Sequence, residues 1–430
     1  MSDDTSRAAA GAAVRGEAEA FDAFARRITD LELITDPWFD GAPRFAQAPV
    51  ILSEAEHEEL CAAGEATAAV IDEAVSLLLD DEAQRRAFLP LPPVQEAMFL
   101  ASAGMWHGIA RADVFRTPEG LQITELNSDT PTGEPEAIVL GRLGKEDHPE
   151  LADACATLAP RLASMWLALH QAGVDDATDR TAAIIYPTEF TEDLSLVRLY
   201  RQLLEELGFR VVLGSPYNLA GNDDGSLDLF GERPSLVLRH YKSDWWGERE
   251  SVWLDDDVMD HEPLTAAVQA IVRAQQTRRA VMVNPLGAIA SQSKRLLAFC
   301  WERIHRFSTT NQDAIQRLIP FSSRLETMHD VQLTADKDRW VIKSDYGAEG
   351  DEVIIGRRTD DETWRKTIAL ARPGRFIAQR YFEAERDAQG VVQNFGVFVV
   401  GGEACGVYTR RDRGFTDPSA LSVPTLVRKA

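Results

Sequence analysis

Apolar and polar positions recur at helical spacing over residues 7–30 and 53–88, which are rich in Ala, Glu and Leu. Ser53 and Glu56 have the spacing of a capping box at the start of the second stretch. Pro90-Leu91-Pro92-Pro93 ends this pattern. Beyond it, Val114, Phe115, Leu121 and Ile123 suit two strands, with Pro118-Glu119-Gly120 as a three-residue hairpin loop. Asp147 to Gln171 reads as one helix. An alternating run follows: strand Thr181–Tyr186, helix Thr191–Leu207, strand Arg210–Leu213 and strand Ser235–Arg239. That order predicts a Rossmann-like unit with a short parallel sheet. Asn222-Asp223-Asp224-Gly225 and the run Asp255–Asp257 are expected in solvated loops. From Val281 onward strands dominate, with two helices expected over Ser291–Phe307 and Asp360–Arg372. The fold class this predicts is α/β (α+β), with a helical N-terminal region.

The expected hairpin carries chemistry. A three-residue loop would pair Thr117 with Leu121, Phe115 with Ile123, Asp113 with Glu125 and Arg111 with Asn127. Alternation would then put Arg111, Asp113, Glu125 and Asn127 on one face. Two carboxylates about 4 Å apart repel by roughly 4 kcal/mol at an effective dielectric near 20. Something positive belongs between them, either Arg111 or a divalent cation. Two carboxylates and an amide offer the hard oxygen ligands that suit Mg²⁺. The plain alternative is a solvated hairpin with a surface Arg–Asp–Glu cluster.

A second segment, W-V-I-K-S-D-Y-G-A-E-G-D-E-V-I-I-G at 340–356, reads as a strand bearing Lys343, a loop with Gly347 and Gly350, and a return strand. A strand lysine beside a glycine flap makes a phosphate clamp, unlike a Walker loop, whose motif is absent. An ordinary hairpin with a flexible tip fits the same residues. Phe376–Phe382 is an apolar strand whose exit, through Gln379-Arg380-Tyr381, either presents groups to an adenine edge or is plain core. Gly401-Gly402 suits a turn between Phe395–Val400 and Glu403–Tyr408. The second of these strands delivers Arg410, with Arg411 and Arg413 behind it, as an anion site or a charged strand exit.

Composition narrows the partners. The 430 residues suit about three domain-sized units, or fewer large ones, and 45% are hydrophobic. The formal charge is -24 and the pI about 4.8, so neither nucleic acid nor an anionic membrane is an expected partner. A polyanion such as ATP would need a local cluster of Lys, Arg and metal. Cys61, Cys155, Cys300 and Cys405 are scattered without C-x-x-C spacing and read as reduced thiols of a cytoplasmic protein. No stretch approaches the roughly 18 apolar residues of a membrane span, and the first residues show no secretory signal.

Taken together and in order, these motifs resemble the synthetase domain of glutathionylspermidine synthase and its synthetase-only bacterial homologues. R-A-D followed by E-L-N-S-D-T-P-T is similar to the family's R-x-D…E-x-N-A-D. S-Q-S-K-R-L-L-A-F-C-W-E at 291–302 is similar to its helix that begins S-N-K and ends L-W-E. K-S-D-Y-G-A-E-G resembles K-P-x-x-G-R-E-G, F-I-A-Q-R-Y-F-E its adenine hinge, and G-V-Y-T-R its G-x-x-I-R strand.

The resemblance covers roughly residues 90–430. It implies a circularly permuted ATP-grasp fold with a Rossmann-like pre-ATP-grasp unit. The division it suggests is 1–100 helical, 101–175 the permuted ATP-grasp segment with the hairpin, 176–280 the Rossmann-like unit and 281–430 the ATP-grasp subdomains. It further implies that Asp113, Glu125 and Asn127 hold Mg²⁺ and that Lys294 and Lys343 contact ATP phosphates. Arg111 and Arg410 would stabilise charge on the transferring phosphoryl group, and Gln379 and the backbone near Tyr381 would meet adenine. The reaction implied joins a carboxylate to an amine through an acyl phosphate. A degenerate nucleotide-binding module and a kinase on the same fold are the other readings.

Two departures stand out: Ala348 replaces the flap arginine, and Ser344 replaces the proline after the lysine. Ser128–Gly133 is closer to the synthetase-only homologues, and no amidase-like segment is recognised. Substrates other than glutathione and spermidine are therefore expected. Oligomeric state is not readable from the sequence.

Overall fold

The computed structural model describes residues 21–102, 108–191, 193–247, 250–256, 262–347, 352–412 and 420–429. Residues 21–29 are helical; the rest of the expected 7–30 helix lies mostly outside the described residues. The 53–88 pattern divides into α1 (Glu54–Leu79) and a short helix, Glu82–Phe88. It divides because Asp81 caps a fresh start, its carboxylate accepting from the Gln84 amide. The Ser53–Glu56 capping box is formed in both directions.

The hairpin consists of β1 (Ile109–Thr117) and β2 (Gly120–Asn127). The helix expected over 147–171 forms only in its later part, as α3 (Leu158–Gly173), and α2 (Glu134–Asp147), which was not expected, ends where it should begin. Pro149 disfavours helical backbone at His148, and Pro135 and Pro160 each sit in the first turn, where a missing N–H does no harm.

The parallel sheet follows: β3 (Thr181–Ile185), helix α4 (Leu194–Glu206), β4 (Arg210–Gly214), β5 (Leu236–Arg239), helix α5 (Thr265–Gln276) and β6 (Val281–Val283). Its spatial order is β6-β5-β3-β4, every pair parallel. Connections leave β3 and β5 in opposite directions, so the topological switch point lies between those two strands.

The helix expected over Ser291–Phe307 is broken into Ala288–Ser291, α6 (Arg295–Glu302) and a 3-10 turn. Two further helices, Thr309–Leu318 and Asp330–Ala335, were not expected, their polar faces masking the helical spacing. An antiparallel sheet, in the order β7-β10-β8-β9, is built from β7 (Ser322–Arg324), β8 (Trp340–Ser344), β9 (Val353–Ile355) and β10 (Phe376–Arg380). The last hairpin, β11 (Val392–Val400) and β12 (Glu403–Asp412), turns at Gly401-Gly402 as expected.

β11 pairs with β1, and β13 (Leu421–Val423) closes a five-stranded sheet in the order β13-β12-β11-β1-β2. α1 lies across one face of this sheet and buries Leu60, Val70, Ile71 and Val75 with Ala112, Val114, Ile123, Val397 and Val407. The opposite face carries the polar residues of β1 and β2. All four cysteines are free, three of them buried.

Candidate active site

The hairpin reaches its expected lower register by a different route. The loop is two residues, Pro118-Glu119: Thr117 pairs with Gly120 and Phe115 with Gln122 rather than with Leu121 and Ile123. Gly120 takes φ +122°, a value that favours glycine. The register then shifts at a bulge beside Thr124, so that Asp113 faces Glu125 and Arg111 faces Asn127, as expected. A shorter loop and one extra residue cancel. The bulge is essential to the site. Leu121 and Ile123 face the α1 core, and strict alternation would send Glu125 there too. The extra residue puts Thr124 and Glu125 on the cleft side together and returns Leu126 to the core.

These residues open onto a cleft of about 1380 Å³ lined by residues of the five-stranded sheet, the antiparallel four-stranded sheet and the loops that follow the parallel sheet. Arg111, Asp113, Glu125 and Asn127 line it from β1 and β2, and Arg410 from β12. Lys294, Lys343 and Gly347 line it from the other side, with Gln379 and Tyr381 at the exit of β10. Gly350, Ala348 and Arg413 lie outside the described residues.

Opposite charges meet at the hairpin. Arg111 Nε donates to Asp113 Oδ1 at 2.9 Å, and Arg410 Nη2 to Asp113 Oδ2 at 3.3 Å. Arg111 Nη1 also donates to the Thr132 carbonyl. Gly396 gives it room, since a Cβ there would stand 2.7 Å from Arg111 Cδ. Lys294 Nζ lies 3.0 Å from Glu125 Oε2 and 2.5 Å from the Gly347 carbonyl. Lys343 Nζ donates to the carbonyl of the bulged Thr124 at 3.4 Å.

Burial raises the Glu125 carboxyl pKa, yet Lys294 and then Lys343 outweigh it and hold the group at about 2. Burial pushes Lys343 down to about 8, with Glu125 opposing and Lys294 assisting. Burial works against the Arg111 cation, but Asp113 reverses the shift and raises its pKa. The two carboxylates are therefore balanced by four cations, Arg111, Arg410, Lys294 and Lys343, where the hairpin spacing alone offered either Arg111 or a divalent cation.

Supporting residues went unrecognised in the sequence. Asn284, at the exit of β6, accepts from the Gly108 and Ile109 amides and donates to the Ile109, Ser128 and Asp129 carbonyls. It ties the start of β1 to the exit of β2. Gln292 accepts from the Ser128 and Asp129 amides and donates to Asn127 Oδ1 at 3.4 Å. Asp129, 1% exposed, takes Arg239 at 2.5 Å and the Ser243 amide at 2.7 Å. The S-Q-S-K and E-L-N-S-D motifs contained Gln292 and Asp129, but nothing in their spacing distinguished their roles.

At the β10 exit, Gln379 donates to Ser322 Oγ at 3.0 Å, and the amides of Arg380 and Tyr381 donate to the Phe321 and Arg339 carbonyls. The Tyr381 ring carries the Arg357 guanidinium 4.7 Å from its centroid.

The family model for the glutathionylspermidine synthase preATP-grasp matches residues 40–428. The chain belongs to that family. No curated protein matches the sequence. Among solved structures, a glutathione synthetase-like effector from Globodera pallida, in apo form, is similar with a TM-score of 0.60 at 11% identity. That match covers 94% of this chain and 97% of the effector. A putative gamma-glutamylcysteine synthetase from Methylobacillus flagellatus KT is similar with a TM-score of 0.47 at 12% identity, covering 88% of each chain.

Family and fold agree: this is a mixed α/β, ATP-grasp-type chain of a synthetase family. Within that family's framework the hairpin donor set can be tested against a metal. Among the described residues no group of three or more His, Cys, Asp and Glu is placed to hold one. The hairpin set is two carboxylates and an amide oxygen. Those donors fit a hard cation, and Glu125 is already ionised, so binding needs no proton release from it. No helix among the described residues is long and apolar enough to cross a membrane.

Proposed function

We propose that the chain is an ATP-dependent carboxylate–amine ligase that forms an amide through an acyl phosphate. The observation that carries this reading is the convergence of Lys294, Lys343, Arg111 and Arg410 on Asp113, Glu125 and Asn127 in one cleft. A triphosphate entering a strongly acidic protein needs such a local excess of cations. In this reading Lys294 and Lys343 take the phosphates, leaving Gly347 and Thr124, their partners in the free chain. Gly347 stands at the phosphate side of the cleft beside Lys294, and Gln379 and Tyr381 border the adenine. Asp113, Glu125 and Asn127 would hold Mg²⁺, which when bound supplies charge neutralisation on the phosphate oxygens.

The substrate carboxylate attacks the γ-phosphorus, the bond to the bridging oxygen breaks, and ADP leaves. Arg111 and Arg410 face the charge that spreads over the transferring group. An amine then attacks the acyl carbon and expels phosphate. No protein nucleophile is required. The partners are thus a small or peptide carboxylate and an amine. The working division of the chain is the one read from the sequence, 1–100, 101–175, 176–280 and 281–430.

The test is ADP release with panels of acids and amines. Turnover should require both substrates, and Asp113→Asn or Glu125→Gln should reduce it at least about a hundredfold at a temperature where each variant is still folded, although each leaves a buried cation without its partner and melts lower than the wild type. Turnover that survives either change would remove the metal-holding role. Tight Mg·ATP binding without turnover on any pair would favour a nucleotide-binding module. A stable phosphorylated product without amide would point to a kinase.

A further inference from the structure

One wall of the cleft carries aromatic residues that the phosphate chemistry does not use. Phe190 is 41% exposed and Trp245 40% exposed, and both line the cleft. Their ring centroids are 6.0 Å apart. Tyr241 packs edge-on behind Trp245 at 5.4 Å and an interplanar angle of 82°, which fixes the indole plane. Two large rings held half-open side by side in a cleft form an apolar wall of the kind that ligand pockets use.

Their place in the fold supplies an independent observation. Phe190 follows β3 and Trp245 follows β5, the two strands that flank the switch point of the parallel sheet. Open parallel sheets bind ligands in the crevice beyond the strand ends at such a point. This crevice is tied to the reacting centre. The Ser243 amide, two residues before Trp245, donates to Asp129, two residues after Asn127. Lys242 Nζ also reaches the Tyr346 carbonyl, at 3.4 Å, beside the flap root.

We infer that the Phe190–Trp245 platform is the subsite for the amine co-substrate, and that this amine carries an aromatic ring. The inference rests on the ligase reading and deepens it. The acid must place its carboxylate where Arg111, Arg410, Lys294 and Lys343 gather, which leaves the switch-point end to the amine. That end suits a neutral, nucleophilic amine. Asp193 stands at the mouth of the same loop, paired with His240 at 3.1 Å, and the Lys242 ammonium, 5.2 Å from the Trp245 centroid, disfavours the protonated form of an amine bound beside it. An arylalkylamine matches both features, with its ring on the platform and its nitrogen directed toward the acyl carbon.

The experiment is calorimetric titration of the full chain with three probes: phenethylamine, cadaverine and hydrocinnamate. They separate ring from charge. Phenethylamine should bind about tenfold more tightly than either of the others, the increment of one good ring contact. Trp245→Ala and, separately, Phe190→Leu should erase that preference while thermal melting shows both variants folded. Equal or tighter binding of cadaverine or hydrocinnamate would overturn the inference. So would no saturable binding of phenethylamine, or a preference that persists in both variants. Failure of the ligase reading is seen separately, as an absence of Mg·ATP binding to the wild-type chain, and leaves the ring preference to be judged on its own.

Discussion

At the scale of single residues, the hairpin's charges are balanced by near neighbours, whereas Glu134 is not. It opens α2 with no solvent exposure, accepts from the Tyr200 hydroxyl at 3.4 Å and keeps its second oxygen buried without a hydrogen-bond partner. Burial pushes its carboxyl up from 4.5 to about 8, although Arg111 pulls the other way. The sign of the consequence is definite. Below the unfolded value of 4.5 both states are protonated and nothing is lost. Between 4.5 and about 8 the folded chain keeps a proton that the unfolded chain releases, so stability falls as pH rises through that window. Glu134→Gln should flatten this slope and raise the urea midpoint near the upper end of the window, by an amount equivalent to roughly 1–3 kcal/mol. Urea titrations of both chains across the window would check it, and parallel slopes would contradict it. Nothing in T-P-T-G-E-P-E marks Glu134 as buried, because a glutamate in a first helical turn is usually a solvated partner of the helix dipole.

At the scale of elements, the strands and the hairpin were legible and the joints between elements were not. Alternation in A-D-V-F-R-T and L-Q-I-T-E-L located β1 and β2, and the pairing of Asp113 with Glu125 followed from counting. The bulge at Thr124 was invisible, since one threonine reads alike in a regular and a bulged strand. A compensating error in loop length hid the omission. Likewise Pro149 was present to be read, yet the Leu- and Ala-rich residues after it made the helix look as if it began at Asp147 rather than at Leu158. Asn284 is the clearest case of information absent from local sequence. A lone asparagine after a short strand is usually a turn former, but here its amide serves two distant segments, 108–109 and 128–129. Asn284→Ala would leave two buried amides and three carbonyls without this partner. Each loss costs about 1–3 kcal/mol before relaxation, so the chain should lose roughly 3–5 kcal/mol. Thermal and urea unfolding measure that directly. A loss below about 1 kcal/mol would show that water replaces the side chain and that the hairpin does not depend on β6.

At the scale of the molecule, the cleft is assembled from places far apart in the chain. Asp113, Lys294, Lys343 and Arg410 come from four segments, and only folding brings them within hydrogen-bonding reach of one hairpin. Motif order carried this arrangement in the sequence. The aromatic wall was not legible, because Phe190 and Trp245 resemble core residues until the sheet's switch point is known. One consequence concerns the whole chain. A ligand that bridges these segments and binds only when they are folded together stabilises the entire fold, by about 2.7 kcal/mol at a hundredfold excess over its dissociation constant. In the proposed ligase reading ATP alone would meet Lys294 and Lys343, and Mg·ATP would also relieve the crowding of its phosphates against Asp113 and Glu125. The melting temperature should therefore rise with ATP and rise further with Mg²⁺ present. Asp113→Asn should remove the increment due to Mg²⁺ while sparing the ATP increment, and Lys343→Met should diminish both. A magnesium increment that persists in Asp113→Asn would place the ion elsewhere, and no shift with either ligand would remove nucleotide from the cleft altogether.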